Sequence, residues 1–161
     1  VANFMSTFKM LSWAAVIVWM AFIFLLSHQP AEESRELSRG MTEVIVEKIE
    51  KIAPQKKFEF HKLHYLIRKN AHFFAYLVLG ILVLNAVRRS GDKEIQSLGI
   101  ALIVCVFYAL SDEIHQLFVP GRSGEWRDVM IDTAGALFGM GLYLIASGLS
   151  KRMFSMGRKP L

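Results

Sequence analysis

Cysteine is nearly missing from the chain: Cys105 is the single one among 161 residues. One thiol cannot close an intrachain disulfide, and it leaves the redox compartment unread. There is no C-x-x-C and no H-E-x-x-H, so the common zinc and zinc-protease signatures are excluded. Ser111 lacks the glycine-flanked elbow that exposes a hydrolase nucleophile. Proline is scarce, with four residues, and no internal repeat is visible. Charge is missing from long stretches of the chain, and those stretches decide the class.

The hydrophobic residues make up 53% of the sequence and the mean hydropathy is +0.36, high for a soluble chain of this length. They fall in four blocks, roughly 10–28, 66–88, 95–118 and 126–149. About 20 apolar residues in a helix cross a hydrocarbon core of roughly 30 Å. The expected architecture is all-α: an integral-membrane four-helix bundle forming a single transmembrane domain over 1–161. The first block reads as a retained span, because SHQPAEES after it offers no A-x-A cleavage pattern. The polar loop 29–65 holds apolar residues at helical spacing between Pro30 and Ile52, which predicts an amphipathic helix at the membrane surface before Pro54 breaks the chain. Ser123 is placed to cap the fourth helix. Gly135, Gly139 and Gly141 would admit close helix packing in lipid. Cys105 reads as a small buried residue, and Trp13, Trp19 and Trp126 as core or interface anchors.

The net charge of +5 sits between and after the apolar blocks, which indicates membrane lipids rather than nucleic acid as the partner. Four spans put both termini on one side with the Arg88–Lys93 turn. That side carries eight Lys or Arg against two acids, and the positive-inside rule makes it cytoplasmic. The other side holds eleven Lys or Arg, seven of them in the long first loop beside seven acids.

Ionisable groups inside spans are costly and mark a partner or a water-filled cavity. In an up-down bundle the start of span two, the end of span three and the start of span four meet at one face. Arg68, Lys69, Asn70 and His72, with Tyr76 a turn deeper, come from the first of these. Asp112, Glu113, His115 and Gln116 come from the second, and Arg122, Arg127, Asp128 and Asp132 from the turn and span that follow. At i,i+4 spacing Arg68, His72 and Tyr76 share a face, as do Asp128 and Asp132. Asp112, His115 and Gln116 share another, with Glu113 turned about 100° away.

The candidate acid–base residues are His72, Asp112, Glu113 and His115. Arg68, Lys69, Tyr76, Gln116, Arg122, Asp128 and Asp132 are the candidates for holding a substrate. A divalent metal among the histidines and carboxylates is a further reading, with no cofactor specified. The alternative is an ion-pair network that locks the bundle, for example Arg68 with Asp128 and Arg122 with Glu113. His28, His61 and His64 are expected to meet solvent.

The strings RKNAHFFAYLVLG and SDEIHQLFVPGRSGEWRDVMIDTAGALFG resemble the VanZ-like family of bacterial membrane proteins. Ser27-His28-Gln29-Pro30 is similar to that family's S-x-Q element. The family's motif positions fall on Arg68, Lys69, His72, Tyr76, Asp112, Glu113, His115, Gln116, Arg122 and Asp128; Asp132 departs from an expected Asn. The resemblance implies a cell-envelope role in the bacterial membrane, associated with resistance to the lipoglycopeptide teicoplanin. It implies no settled reaction. Three functions remain open: a membrane hydrolase or transferase on an anionic or lipid-linked envelope molecule, a non-catalytic protein that binds or shields a lipid or drug, and a proton-coupled transporter. The apolar mid-span positions, interrupted by Asn85, Cys105 and Tyr108, disfavour the last.

Overall fold

The computed structural model describes residues 2–33, 36, 39–40, 44, 60–91 and 93–156. They are helical with no strands among the described residues, in the order α1 (Ala2–His28), α2 (Phe60–Arg89), α3 (Glu94–Gln116) and α4 (Trp126–Met156). Each contains a segment long and apolar enough to cross a membrane: Ser6–His28, Lys69–Arg89, Glu94–Gln116 and Trp126–Leu149. Helices α1, α2 and α4 outrun their apolar blocks because polar flanks without Pro or Gly continue the helix, whereas α3 stops at Gln116, two residues short of its block. Of the expected amphipathic helix in the first loop, the described positions 31–33, 36, 39–40 and 44 are helical, and the rest lies outside the described residues.

Large apolar side chains cover the outside of the bundle, including Ile17, Val18, Leu25, Ile103, Phe107 and Ile145. In water this surface would be an aggregation hazard; in lipid it is the contact with acyl chains. The interior is small and tight, built on Val16, Ile23, Tyr76, Leu79, Val83, Cys105 and Met140.

The seam between the parallel helices α2 and α4 explains the packing. A Cβ on Gly135 would overlap the Phe73 carbonyl, one on Gly139 the Leu77 carbonyl, and one on Gly80 the Ala136 carbonyl. Without side chains there, the two backbones approach closely, the main source of helix association where lipid removes the hydrophobic driving force. The expectation is corrected at Gly141, which has open space around its Cβ position. Gly80, the partner glycine on α2, was not foreseen.

The two ends of the bundle differ. At the end where α2 and α4 finish, polar groups are stitched together. Arg88 pairs with Glu94 at 2.8 Å and lies over the Tyr143 ring. Asn85 accepts from Tyr143 at 3.2 Å and from Arg89 at 3.1 Å, and Trp13 donates to Ser90 at 3.3 Å. Gly91, at φ +100°, turns the chain into α3. The opposite end, where α1 and α3 finish and α2 and α4 begin, carries the candidate site.

Candidate functional site at the membrane face

Local chain geometry positions the site. The turn after α3 tightens through Phe118 N–H to the His115 carbonyl and Val119 N–H to the Gln116 carbonyl, at 3.0 and 3.1 Å. Gly121 takes the left-handed φ of +73° that a residue with a Cβ rarely adopts. The Ala31 N–H donates to the Pro120 carbonyl at 3.2 Å, fastening the start of the first loop to this turn. Arg122 reinforces the join by donating to the carbonyls of Gln29 and Leu26, at 2.9 and 3.0 Å.

Helix α4 begins at Trp126, so the residue before it is Glu125 and not Ser123. The Glu125 N–H donates to the Glu113 carboxylate at 2.7 Å. Gly124 lets the turn lie against α3, since a Cβ there would stand 2.9 Å from the Glu113 carbonyl. Glu113 therefore anchors the entry to α4 and is buried doing so. Arg122 and Glu113, expected to pair, are each described with backbone partners: Arg122 with the Gln29 and Leu26 carbonyls, Glu113 with the Glu125 N–H.

Between α2 and α4 the polar residues form two rungs. Lys69 pairs with Asp128 and stands 3.5 Å from Glu125. The pairing of Asp128 expected of Arg68 lies outside the described residues, and Lys69 is the partner described. One turn deeper, His72 Nδ1 is 3.7 Å from Asp132 Oδ1, which is too long for a hydrogen bond. The third element adds Asp112: its Oδ2 accepts from Ser27 of α1 at 2.8 Å and from Gln116 at 3.3 Å. One ligand-type atom from each of His72, Asp112 and Asp132 lies within 4.8 Å of the other two. Tyr76 lies a turn below His72, fully buried and within electrostatic range of Asp112 and Asp132.

His115 lies apart from this trio. It and Asp112 both turn toward the end of α1, but to adjacent residues. His115 Nε2 is 3.1 Å from His28 Nδ1, one ring donating to the other according to tautomer. Phe24 packs on both rings. This histidine pair borders a cavity of about 380 Å³, which Gln29, Glu33 and Phe118 also line. His28 is exposed as expected, yet its partner was not read from the sequence; the signal was a histidine one residue past Ser27 at a span end. His61 and His64 have side chains outside the described residues. Ser111 is exposed and donates to the Tyr108 carbonyl at 2.7 Å.

The buried side-chain oxygens without a hydrogen-bond partner, among the described residues, belong to Tyr76, Asp112, Glu113 and Asp132. All four residues sit at this end. Asp132 contributes both of its carboxylate oxygens while being 0% exposed.

The family model described as VanZ/LLP1 matches residues 12–147, from the first span through most of the fourth. No curated protein and no solved structure matches the chain.

Proposed function

The chain belongs to the VanZ/LLP1 family, and from that premise we propose that it recognises the polar headgroup of an anionic, lipid-linked envelope molecule at the outer face of the bacterial cell membrane. On this reading both termini are cytoplasmic, and the phenotype associated with the activity is resistance to teicoplanin-type lipoglycopeptides. The observation that carries the proposal is the clustering of the unpartnered buried oxygens of Tyr76, Asp112, Glu113 and Asp132 at one end of the bundle. A buried polar group without a partner costs about 1–3 kcal/mol. Apolar residues would lock the same helices at no such cost. Groups kept at that cost within a span are expected to face a ligand or a water-filled path; carboxylate oxygens accept, so they would meet the hydroxyl or amine donors of the headgroup rather than its anionic part.

Lys69 and Arg122 lie at this end of the bundle, and with Arg68, next to Lys69 in the sequence, they supply the positive charge that draws an anionic headgroup to the face. The cavity beside His28 and His115 gives room for a group larger than a phosphate. Hydrolysis or transfer on the bound molecule is the enzymatic form of this reading; binding that shields the molecule from drug is the non-catalytic form.

Mass spectrometry of lipids on the purified protein tests the proposal. Wild type and Asp132→Asn are incubated with total envelope lipid extract. An anionic lipid-linked species retained or consumed by wild type, and ignored by the variant, is the expected result. Conversion identifies an enzyme, and retention without product a shielding protein. Equal lipid profiles for the two proteins would remove the cluster from the function.

A further inference from the structure

We propose that His72, Asp112 and Asp132 form a binding site for one divalent cation of the Zn²⁺ or Mn²⁺ type, where α2, α3 and α4 meet. The proposal goes beyond headgroup recognition and does not depend on it.

The donor set is the first support. One imidazole and two carboxylates suit borderline divalent ions of the first transition row, and thiolates are not required. The geometry is the second. Metal–ligand bonds of about 2.0–2.2 Å place neighbouring donor atoms about 3–4 Å apart. His72 Nδ1 and Asp132 Oδ1 are already 3.7 Å apart, and the three donors lie within 4.8 Å of one another. That 3.7 Å separation is awkward for a hydrogen-bonded pair and natural for two ligands of one ion.

The unpartnered oxygens point the same way. Asp112 is held by one oxygen only: Oδ2 accepts from Ser27 and Gln116, and the buried Oδ1 has no partner. This is how a ligating carboxylate is presented, with one oxygen oriented by outer hydrogen bonds and the other directed to the ion. Asp132 has both oxygens buried and without a hydrogen-bond partner, Oδ1 facing His72 Nδ1 at 3.7 Å. Two carboxylates this close repel strongly in a low-dielectric interior; one divalent cation neutralises both. The neighbouring Asp128 needs no ion because Lys69 already pairs with it. His72 keeps 18% of its side chain exposed, which gives an ion a path to the site.

The test is equilibrium dialysis of the full chain in detergent against Zn²⁺ or Mn²⁺, followed by elemental analysis. Wild type and the distant control Glu94→Gln are expected to retain one ion per chain. Asp132→Asn and His72→Gln are expected to lose it. Ser27→Ala, a change in a positioning residue, should weaken affinity about 10–100-fold. His72→Cys covers the case in which the other variants lose their fold. It replaces imidazole by thiolate and should give, with Cd²⁺, a thiolate-to-metal charge-transfer band absent from wild type, whose one cysteine is buried in α3. Wild type without a stoichiometric ion, Asp132→Asn that retains it, or His72→Cys without the band would overturn the proposal.

Discussion

Lys69 and Asp128 show what it costs to break an ion pair in this bundle. Their side chains are 13% and 11% exposed, and they pair directly. Removing one leaves the other charged and buried, at a cost of about 3–5 kcal/mol. Lys69→Met should therefore lower unfolding free energy in detergent by that order, and Lys69→Met with Asp128→Leu should recover much of it. Tyr76 is the opposite case. Its hydroxyl is buried with no partner, so Tyr76→Phe loses no hydrogen bond and removes a desolvated group. Thermal unfolding should be unchanged or shifted upward, while capture of the anionic lipid falls. A clear drop in stability for Tyr76→Phe would show that the hydroxyl holds the fold. Glu113 lies between the two, since one oxygen fastens Glu125 and the other has no partner.

At the scale of the helices, the seam between α2 and α4 is the element on which the site depends. Polar rungs occupy its first turns and glycines its middle, so the glycines set how far apart His72 and Asp132 stand. Gly139→Ala and Gly135→Ala place a Cβ against the Leu77 and Phe73 carbonyls. Backbone cannot move aside as a flexible side chain can, so each should destabilise by about 1–3 kcal/mol or more. Gly141→Ala meets open space and should be neutral or slightly stabilising, as expected for Gly→Ala in a helix. Melting temperatures of the three variants in one detergent check the contrast. The spans and the shared end of the polar residues were legible in the sequence. Block length determines the first, and up-down connectivity the second. The pairing was not legible. Helical spacing places residues on faces, but the rotation of each helix about its axis is set by packing. That rotation gave Asp128 to Lys69 and sent His115 to His28. Gly80 escaped notice because a lone glycine in an apolar run carries no signal until its partner helix is known.

For the whole molecule, both ends of the bundle are hydrogen-bonded, and the end where α2 and α4 begin also keeps buried oxygens without a hydrogen-bond partner. The account requires the end that holds these oxygens to face outward, where envelope intermediates and lipoglycopeptides are found. Ser123 is exposed in the turn at that end. A cysteine at Ser123 should react with a membrane-impermeant maleimide in intact cells. Buried Cys105 should remain silent. Protection of the new cysteine until the cells are opened would reverse the orientation and separate the site from its proposed substrates.

The central claim is that the polar cluster of α2, α3 and α4 is retained for a ligand and not for stability. The direct measurement is paired: unfolding free energy and lipid capture of His72→Phe with Asp132→Leu, compared with wild type. A buried charged cluster exchanged for apolar residues of similar size is often neutral or stabilising. The account predicts unchanged or raised stability together with lost capture. Strong destabilisation with capture intact would contradict it, and would make the cluster a lock that holds the helices together.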